Sequence, residues 1–320
     1  MRTQRKLLVL AAVLLGTVAP IEASASQGSG GLDRTRLAAG LEGGAGSTVG
    51  PDGALYVTET VAGRISRIDP RSGRVTTFAD GLPPRVIPIG GAMDVAFLGR
   101  TAYAIVTLVG SDVGGSDVVG LYRVDRRHRV TVVADVGAFA IDNPPSTPFD
   151  QPTGLQYAME PYRGGFLITD GHHNRVLYVT RHGEISVVAQ FGNTVPTGLA
   201  RSGHRVYMAE AGAVPHVPED GKVLALHRRS GTATEVASGA PLLVDVEAGR
   251  RHGLYALSQG VFGGGNPGAP ALPNTGSLVR ANRNGGFTVL AGGLDRPTSL
   301  ELIGRSAYVV TLTGEVWRLR

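Results

Sequence analysis

The segment GEVWRLR, residues 314–320, is the last of six similar stretches and the one copy that no further strand follows. In the other five copies a second β-type stretch comes directly afterwards, as VTTFADGL follows GRISRID, residues 63–69. The segment TRLAAGL, residues 35–41, has the pattern of the missing strand. We therefore predict that residues 35–41 pair with residues 314–320, which closes a ring and removes an open sheet edge.

The complete repeat contains four strands and occurs six times. Its third strands are GRISRID (63–69), GLYRVD (120–125), NRVLYVT (174–180), GKVLALH (221–227), GSLVRAN (276–282) and GEVWRLR (314–320). Repeats of this length that are built from short strands are typical of propellers. The sequence predicts an all-β, six-bladed β-propeller with four-stranded antiparallel blades, occupying residues 35–320 as a single domain.

Two strands of each repeat show where the blades meet. The second strands carry a large side chain at one fixed position: Tyr56, Tyr103, Leu167, Tyr207, Tyr255 and Tyr308. Alternate residues of a strand share a face, so these side chains should fill the wedges between blades. The first strands should line the channel, and TGLQY (153–157) is the expected one in blade 3. Their positions nearest the axis are predicted to be Gly46, Asp94, Gly154, Gly198, Asp245 and Ser299.

The N-terminus predicts export. Residues 1–25 have a positive start, an apolar stretch at 7–19 and a small-residue site ending at Ala25, as in a cleaved signal peptide. Residues 26–34 form a flexible lead. We therefore expect a secreted or otherwise extracytoplasmic protein without a transmembrane anchor. The chain has no cysteine, and cleavage near Ala25 changes the formal charge from +5 to +3 (5 − 3 + 1).

The long insertions all fall on one face of the predicted ring. They are residues 108–119, 135–151, 211–220 and 259–275, whereas the turns on the other face are short. Loop growth on one face of a repeat protein typically marks its binding side. The short turns are rich in arginine, which is consistent either with a face that meets an anionic envelope polymer or membrane, or with solvated turns.

Several motifs closely resemble the ScyD/ScyE family of secreted propellers, from about Leu37 to Arg320. They include GPDGALYVTE (50–59), NPPSTPFDQPTGL (143–155), GFLITDGHHNRVLYVTRHGEISVVAQF (165–191) and YMAEAGAVPHVPEDGKV (207–223). The resemblance implies a six-bladed propeller but no reaction. More distantly, the chain is similar to NHL-type propellers, streptogramin lyases and gluconolactonase-like proteins, whose enzymes hold a divalent cation at the channel mouth.

Five carboxylates are candidate ligands for Ca²⁺ or Mg²⁺. Glu59, Asp170 and Glu210 end second strands at the long-loop face, and Asp94 and Asp245 lie three blades apart, across the channel. Carboxylate oxygens are the ligands that these cations prefer. The alternative is that each carboxylate accepts backbone N–H groups where a strand ends and a turn begins.

Histidines and neutral polar residues of the long-loop face complete the candidate site. His172 or His173 could move a proton, although neighbours on an extended chain point oppositely and suit one metal poorly. Exposed loop histidines are the alternative interpretation. Candidate ligand-binding residues are Asn143, Gln151, Asn174, His216 and Gln259.

Absent motifs narrow the function. The chain has no G-x-S-x-G, H-E-x-x-H, P-loop, strand-linked G-x-G-x-x-G or C-x-x-C-H motif, and an aromatic fraction of 6% disfavours nucleic-acid stacking. We predict a monomer that binds a small molecule, glycan or protein partner on the long-loop face. The alternative is a lyase or lactonase assisted by a divalent metal.

Overall fold

The computed structural model describes residues 32–217, 220–227, 230–265 and 268–320. The predicted signal peptide and most of the predicted lead lie outside these residues. Within them, the strands form six four-stranded antiparallel sheets, and helix is limited to α1 (Val136–Asp142) and two short 3₁₀ turns. No helix in this part of the chain is long and apolar enough to cross a membrane. The predicted six-bladed, all-β propeller is confirmed.

Each blade runs from the channel outwards. Blades 1 to 3 are β2 (Gly44–Val49), β3 (Leu55–Glu59), β4 (Arg64–Ile68), β5 (Val75–Ala79); β6 (Gly91–Leu98), β7 (Thr101–Thr107), β8 (Gly120–Arg126), β9 (Arg129–Asp135); and β10 (Gln156–Tyr162), β11 (Gly165–Asp170), β12 (Arg175–Thr180), β13 (Ile185–Gln190). Blades 4 and 5 are β14 (Pro196–Ser202), β15 (Arg205–Glu210), β16 (Gly221–His227), β17 (Thr232–Ala240); and β18 (Leu243–Ala248), β19 (Leu254–Ser258), β20 (Gly276–Ala281), β21 (Phe287–Leu294).

Blade 6 joins the two ends of the domain. Its strands are β22 (Pro297–Ile303), β23 (Ser306–Thr311), β24 (Val316–Leu319) and, as the outer strand, β1 (Arg34–Ala38). β1 runs antiparallel to β24, and Arg34 lies opposite Leu319. Backbone hydrogen bonds of 2.9 and 3.0 Å between Asp33 and Arg320 extend the pairing. The predicted closure of the ring by the N-terminal strand is confirmed.

Aromatic side chains pack between neighbouring blades. The Tyr56 ring lies 4.9 Å from Phe97 of blade 2, and the Tyr103 ring lies 4.9 Å from Phe166 of blade 3. The Tyr308 hydroxyl of blade 6 donates to a backbone carbonyl of blade 1 at 3.1 Å. The predicted role of the second-strand tyrosines in the wedges is therefore confirmed, since each contact joins two blades.

The first strand of blade 3 differs from the prediction. β10 begins at Gln156, so TGLQY (153–157) is not that strand and Gly154 is not the residue nearest the axis. Gly154 instead lies in a turn, with φ +74° and its N–H bonded to the Gln151 carbonyl at 2.9 Å. Ala158 takes the axial position and lines the channel. A glycine suits this turn because positive φ strains other residues.

Candidate functional site

The first strands enclose a cavity of about 720 Å³ along the axis of the ring. Apolar side chains such as Met93, Met159 and Val244 form part of its wall. Five carboxyl groups from four blades also line it: Asp94, Glu160, Asp245, Glu247 and Glu301. A concave site of this volume, with an apolar wall and a few converging polar groups, suits a small molecule. This cavity is the candidate functional site.

Asp94 is one of four predicted channel residues that line the cavity, with Gly46, Asp245 and Ser299. Its two carboxylate oxygens accept the N–H groups of Val95 and, in blade 3, Met159, each at 2.8 Å. Burial raises the pKa of Asp94 well above its usual value. A Cβ atom on Gly46 of blade 1 would lie 2.2 Å from Asp94 Oδ1, so only glycine leaves room for this carboxyl.

Asp245 repeats this arrangement on the other half of the ring. It accepts the N–H groups of Val246 at 2.8 Å and, in blade 6, Leu300 at 2.7 Å. Gly198 of blade 4 provides the space, since its Cβ would lie 2.5 Å from Asp245 Oδ1. Burial raises the pKa of Asp245 to about 7. Asp94 thus connects blades 1, 2 and 3, and Asp245 connects blades 4, 5 and 6. The carboxylate oxygens of both residues already accept hydrogen bonds from backbone N–H groups.

Glu160, Glu247 and Glu301 form a second level of the cavity, which we call the deep carboxyl layer. In the sheet register they lie opposite Leu167, Tyr255 and Tyr308, the position that carries the wedge side chains. They therefore lie farther from the long-loop face than Asp94 and Asp245. Sequence reasoning missed all three, although VDVEA, residues 244–248, places Glu247 two positions after Asp245 and hence on the same strand face.

Ionisation of the carboxyl groups in the deep carboxyl layer is unfavourable. Burial raises the pKa of Glu160 to about 7. Burial raises the pKa values of Glu247 and Glu301 well above their usual range, and the charges of the neighbouring acids make a smaller contribution in the same direction. Within the described chain, no hydrogen bond or ion pair reaches the carboxyl groups of Glu160 and Glu301. At neutral pH the layer therefore holds protons and can both donate and accept hydrogen bonds.

Two loops form the mouth of the cavity on the long-loop face. One is the predicted insertion 259–275, which contributes Gln259 and residues 268–270. Gln259 is anchored there because its Oε1 accepts the Ala271 N–H at 3.0 Å. The other is the segment 85–90 between blades 1 and 2, which includes Arg85 and which the sequence did not single out. Arg296 also lines the mouth and bonds its neighbour Asp295 at 2.8 Å.

Glu59 and Asp170, predicted as metal ligands, do not line the cavity. Burial alone would raise the pKa of Glu59, but hydrogen bonds from Arg64 at 2.7 and 2.8 Å, and from Ser66 at 2.5 Å, hold it below its usual value. Asp170 is likewise fully buried and lies 3.1 Å from Arg175 Nε. Both acids therefore neutralise a neighbouring arginine across the hairpin from β3 to β4 or from β11 to β12.

The five predicted metal ligands do not converge. Glu210 also lies outside the cavity lining, so only Asp94 and Asp245 remain there. In residues 32–217, 220–227, 230–265 and 268–320, no group of three or more histidine, aspartate or glutamate side chains could hold a metal ion. The side chains of this predicted set thus do not fit Ca²⁺ or Mg²⁺, and a bound cation stays a prediction.

His172 and His173 occupy different environments. His173 is fully buried; its Nε2 donates to the Gln151 carbonyl at 2.9 Å and its Nδ1 accepts from Arg175 at 3.0 Å. This ring is therefore neutral and structural, and burial lowers its pKa. His172 is partly exposed, and burial also lowers its pKa. Neither histidine lines the cavity.

Of the residues predicted to bind a ligand, Gln259 alone lines the cavity. Asn143 caps the C-terminus of α1, and its carbonyl accepts from Arg175 at 2.7 Å. Asn174 orders the next connection, because its Oδ1 accepts the N–H groups of residues 194 and 195 at 2.9 Å. His216 packs its ring against Phe262 at 5.4 Å. The loops around α1 and residues 211–217 are thus held by internal contacts.

Solved structures with this architecture include enzymes of several kinds. Virginiamycin B lyase from Staphylococcus aureus is 15% identical, with 90% of this chain and 98% of that chain covered and a TM-score of 0.54. A gluconolactonase from Xanthomonas campestris is 12% identical, with 89% and 88% covered and a TM-score of 0.60. The PQQ-bound aldose sugar dehydrogenase from Streptomyces coelicolor is 15% identical, with 90% and 98% covered and a TM-score of 0.58.

These similarities establish a shared fold and nothing finer, because one fold carries many functions. No protein-family model matches the chain. A search of curated proteins also found no match.

Proposed function

We propose that the protein binds a small molecule in the axial cavity, which the ligand enters from the long-loop face. The observation that supports this is the cavity of about 720 Å³, whose wall combines apolar side chains with the deep carboxyl layer. The propeller supplies a rigid frame, and the loops at residues 85–90 and 259–275 supply the variable mouth. The resemblance to the secreted ScyD/ScyE propellers is compatible with such a role in an extracytoplasmic setting.

The chemistry of the wall defines the ligand class. Carboxyl groups with raised pKa values present hydrogen-bond donors and acceptors near neutral pH, which suits hydroxyl groups of a sugar-like molecule. An ammonium group would fit as well, but it would favour the ionised carboxylates and expel their protons. We favour a hydroxyl-rich ligand, because the mouth carries Arg85, whose charge disfavours a cation at the entrance.

Calorimetry separates these ligands. Glucose, gluconate and spermidine are titrated into the protein in two buffers with different ionisation enthalpies. A hydroxyl-rich probe should bind with little buffer dependence, whereas spermidine binding would release protons and change the measured heat. The double variant Glu247→Gln/Glu301→Gln should weaken binding at least tenfold. Glu184→Gln, in an exposed short turn, is the control. Failure of every probe to bind the wild type would contradict the proposal.

A lyase or lactonase is the second candidate function. Glu160 favours it, since a cavity carboxyl with a pKa of about 7 can exchange a proton at neutral pH. Proteins of the same fold described as lyases and a gluconolactonase are compatible with this reading. Ring opening of δ-gluconolactone and of a cyclic depsipeptide should be measured with EDTA and with added Ca²⁺ or Mg²⁺. Activity that is unchanged in Glu160→Gln would remove this residue from the reaction.

A further inference from the structure

The face opposite the cavity mouth, which we call the short-turn face, carries an exposed arginine in every blade. It is formed by the turns between first and second strands and between third and fourth strands. One representative of each blade, in order, is Arg71, Arg127, Arg163, Arg205, Arg250 and Arg305. All six side chains are exposed, and none forms an ion pair with a carboxylate of the described residues. The positive charge is therefore distributed around a ring.

Four acids lie in or beside these turns, Asp52, Asp69, Asp125 and Glu184, and none of them forms an ion pair with the six arginines. Asp52 is bonded to Arg67 at 2.7 Å, and Asp125 is bonded to Arg123 at 2.6 Å. Both partners are arginines outside the six. The five acids that line the cavity lie inside the channel, and three of these acids form the deep carboxyl layer. Among the described residues, the six exposed arginines of the short-turn face therefore keep their charge without a carboxylate partner.

The shape of the face indicates what it can meet. Its turns are short in every blade, so no long insertion of this face stands between the six arginines and an approaching surface. A linear polyanion would contact one side of such a ring. A planar array of phosphates could contact all six at once, and guanidinium binds phosphate through two parallel hydrogen bonds.

We propose that the short-turn face docks on the surface of an anionic lipid membrane, with lipid phosphates bound to the exposed arginines. The protein then lies on the membrane without inserting, and the cavity mouth faces away from the lipid. This inference is independent of the proposed ligand, because none of the six arginines lines the cavity. Attraction of this kind is screened by salt over about a Debye length, ~8 Å under physiological conditions.

The test is co-sedimentation of the full chain with large vesicles. Vesicles of phosphatidylcholine with roughly one third phosphatidylglycerol should bind the protein, pure phosphatidylcholine should not, and high salt should release it. Each arginine near an anionic surface contributes roughly a fivefold increase in binding. The triple variant Arg127→Gln/Arg163→Gln/Arg305→Gln should therefore bind roughly a hundredfold more weakly.

A matched control changes the net charge equally on the other face. Ser111→Glu/Ser116→Glu/Ser146→Glu introduces three negative charges at exposed positions of the long loops. It should bind the anionic vesicles within roughly twofold of the wild type, because its arginine ring is intact. Equal losses in both triple variants, at unchanged melting temperature, would overturn the docking surface. Binding to heparin but not to vesicles would also overturn it and indicate an anionic polymer.

Discussion

Glu210 and Lys222 face each other across β15 and β16, but Lys222 Nζ lies 3.3 Å from Glu235 instead. In blades 1 and 3 the same cross-strand position holds the ion pairs Glu59–Arg64 and Asp170–Arg175, in which both acids are buried. Glu210 is only 4% exposed, and its Oε2 has no hydrogen-bond partner among the described residues. Blade 4 therefore buries the Glu210 carboxyl group without the ion pair that blades 1 and 3 have at this position.

The pH dependence of stability should reveal this carboxyl. Burial raises the pKa of Glu210 from 4.5 to about 7, so the native state holds a proton that the unfolded state loses earlier. Its contribution to stability is full below about pH 4.5 and is lost as the pH rises through about 7. Glu210→Gln should raise the free energy of unfolding by about 1–3 kcal/mol at about pH 8.5 and by little at about pH 4.5.

Urea unfolding at the two pH values measures this difference. Glu184→Gln is the matched control, because Glu184 is exposed on a turn, and its unfolding free energy should follow that of the wild type. A Glu210→Gln protein that is less stable than the wild type at the higher pH would show that Glu210 has a partner in solution.

Removal of the arginine from a buried ion pair should destabilise the protein, in contrast to the substitution of the unpaired Glu210. Arg175 is 1% exposed and binds Asp170, His173 and the Asn143 carbonyl. Arg175→Met leaves the buried Asp170 carboxylate without its cation, which should cost about 3–5 kcal/mol of unfolding free energy. The exposed pair Arg67–Asp52 is the reference, and Arg67→Met should cost about 0–1 kcal/mol. Similar costs for the two variants in urea unfolding would mean that burial does not strengthen the inner pair.

Much of the fold follows from the repeat, because tyrosines such as Tyr103 and Tyr308 mark one register and the chain lacks one strand at its end. The inner strand of blade 3 differs from the prediction because residues 153–155 and 197–199 both have the sequence TGL. In blade 4 that tripeptide lies in β14, whereas in blade 3 it precedes β10. The predicted axial position of blade 3 is therefore four residues too early, at Gly154 instead of Ala158, and Glu160 was not recognised as a channel residue.

The candidate site was only partly predictable. Asp94 and Asp245 were placed on the channel from their strand positions, but a strand pattern does not show which carboxylates are already neutralised. A usable signal was present, since Glu59 and Arg64 have the same five-residue separation as Asp170 and Arg175. Across a tight hairpin, this separation brings the acid opposite its arginine. The cavity depends on contacts among six blades, and no linear motif encodes it.

Buried threonines join neighbouring blades, and Thr169 offers a test of their contribution. Its Oγ1 donates to the Thr197 carbonyl of blade 4 at 2.6 Å and accepts the Ala158 N–H at 3.0 Å. Thr169→Val keeps the shape but leaves both backbone groups unsatisfied, which should cost about 1–3 kcal/mol in unfolding free energy. Thr169→Ser keeps the hydroxyl and should cost less than Thr169→Val. The reverse order in urea unfolding would assign the effect to packing of the methyl group.

Closure of the ring should control both stability and association. A chain that begins at Ala39 lacks β1, so β24 becomes an open edge and the ion pair of Arg36 with Glu315 at 2.9 Å is lost. Relative to a chain that begins at Leu32, it should melt roughly 10 °C lower or more, because the outer strand of blade 6 is missing. The open edge should also pair between molecules, so light scattering after gel filtration should detect oligomers. A shortened chain that stays monomeric and melts at the same temperature would show that β1 is not needed to close the propeller.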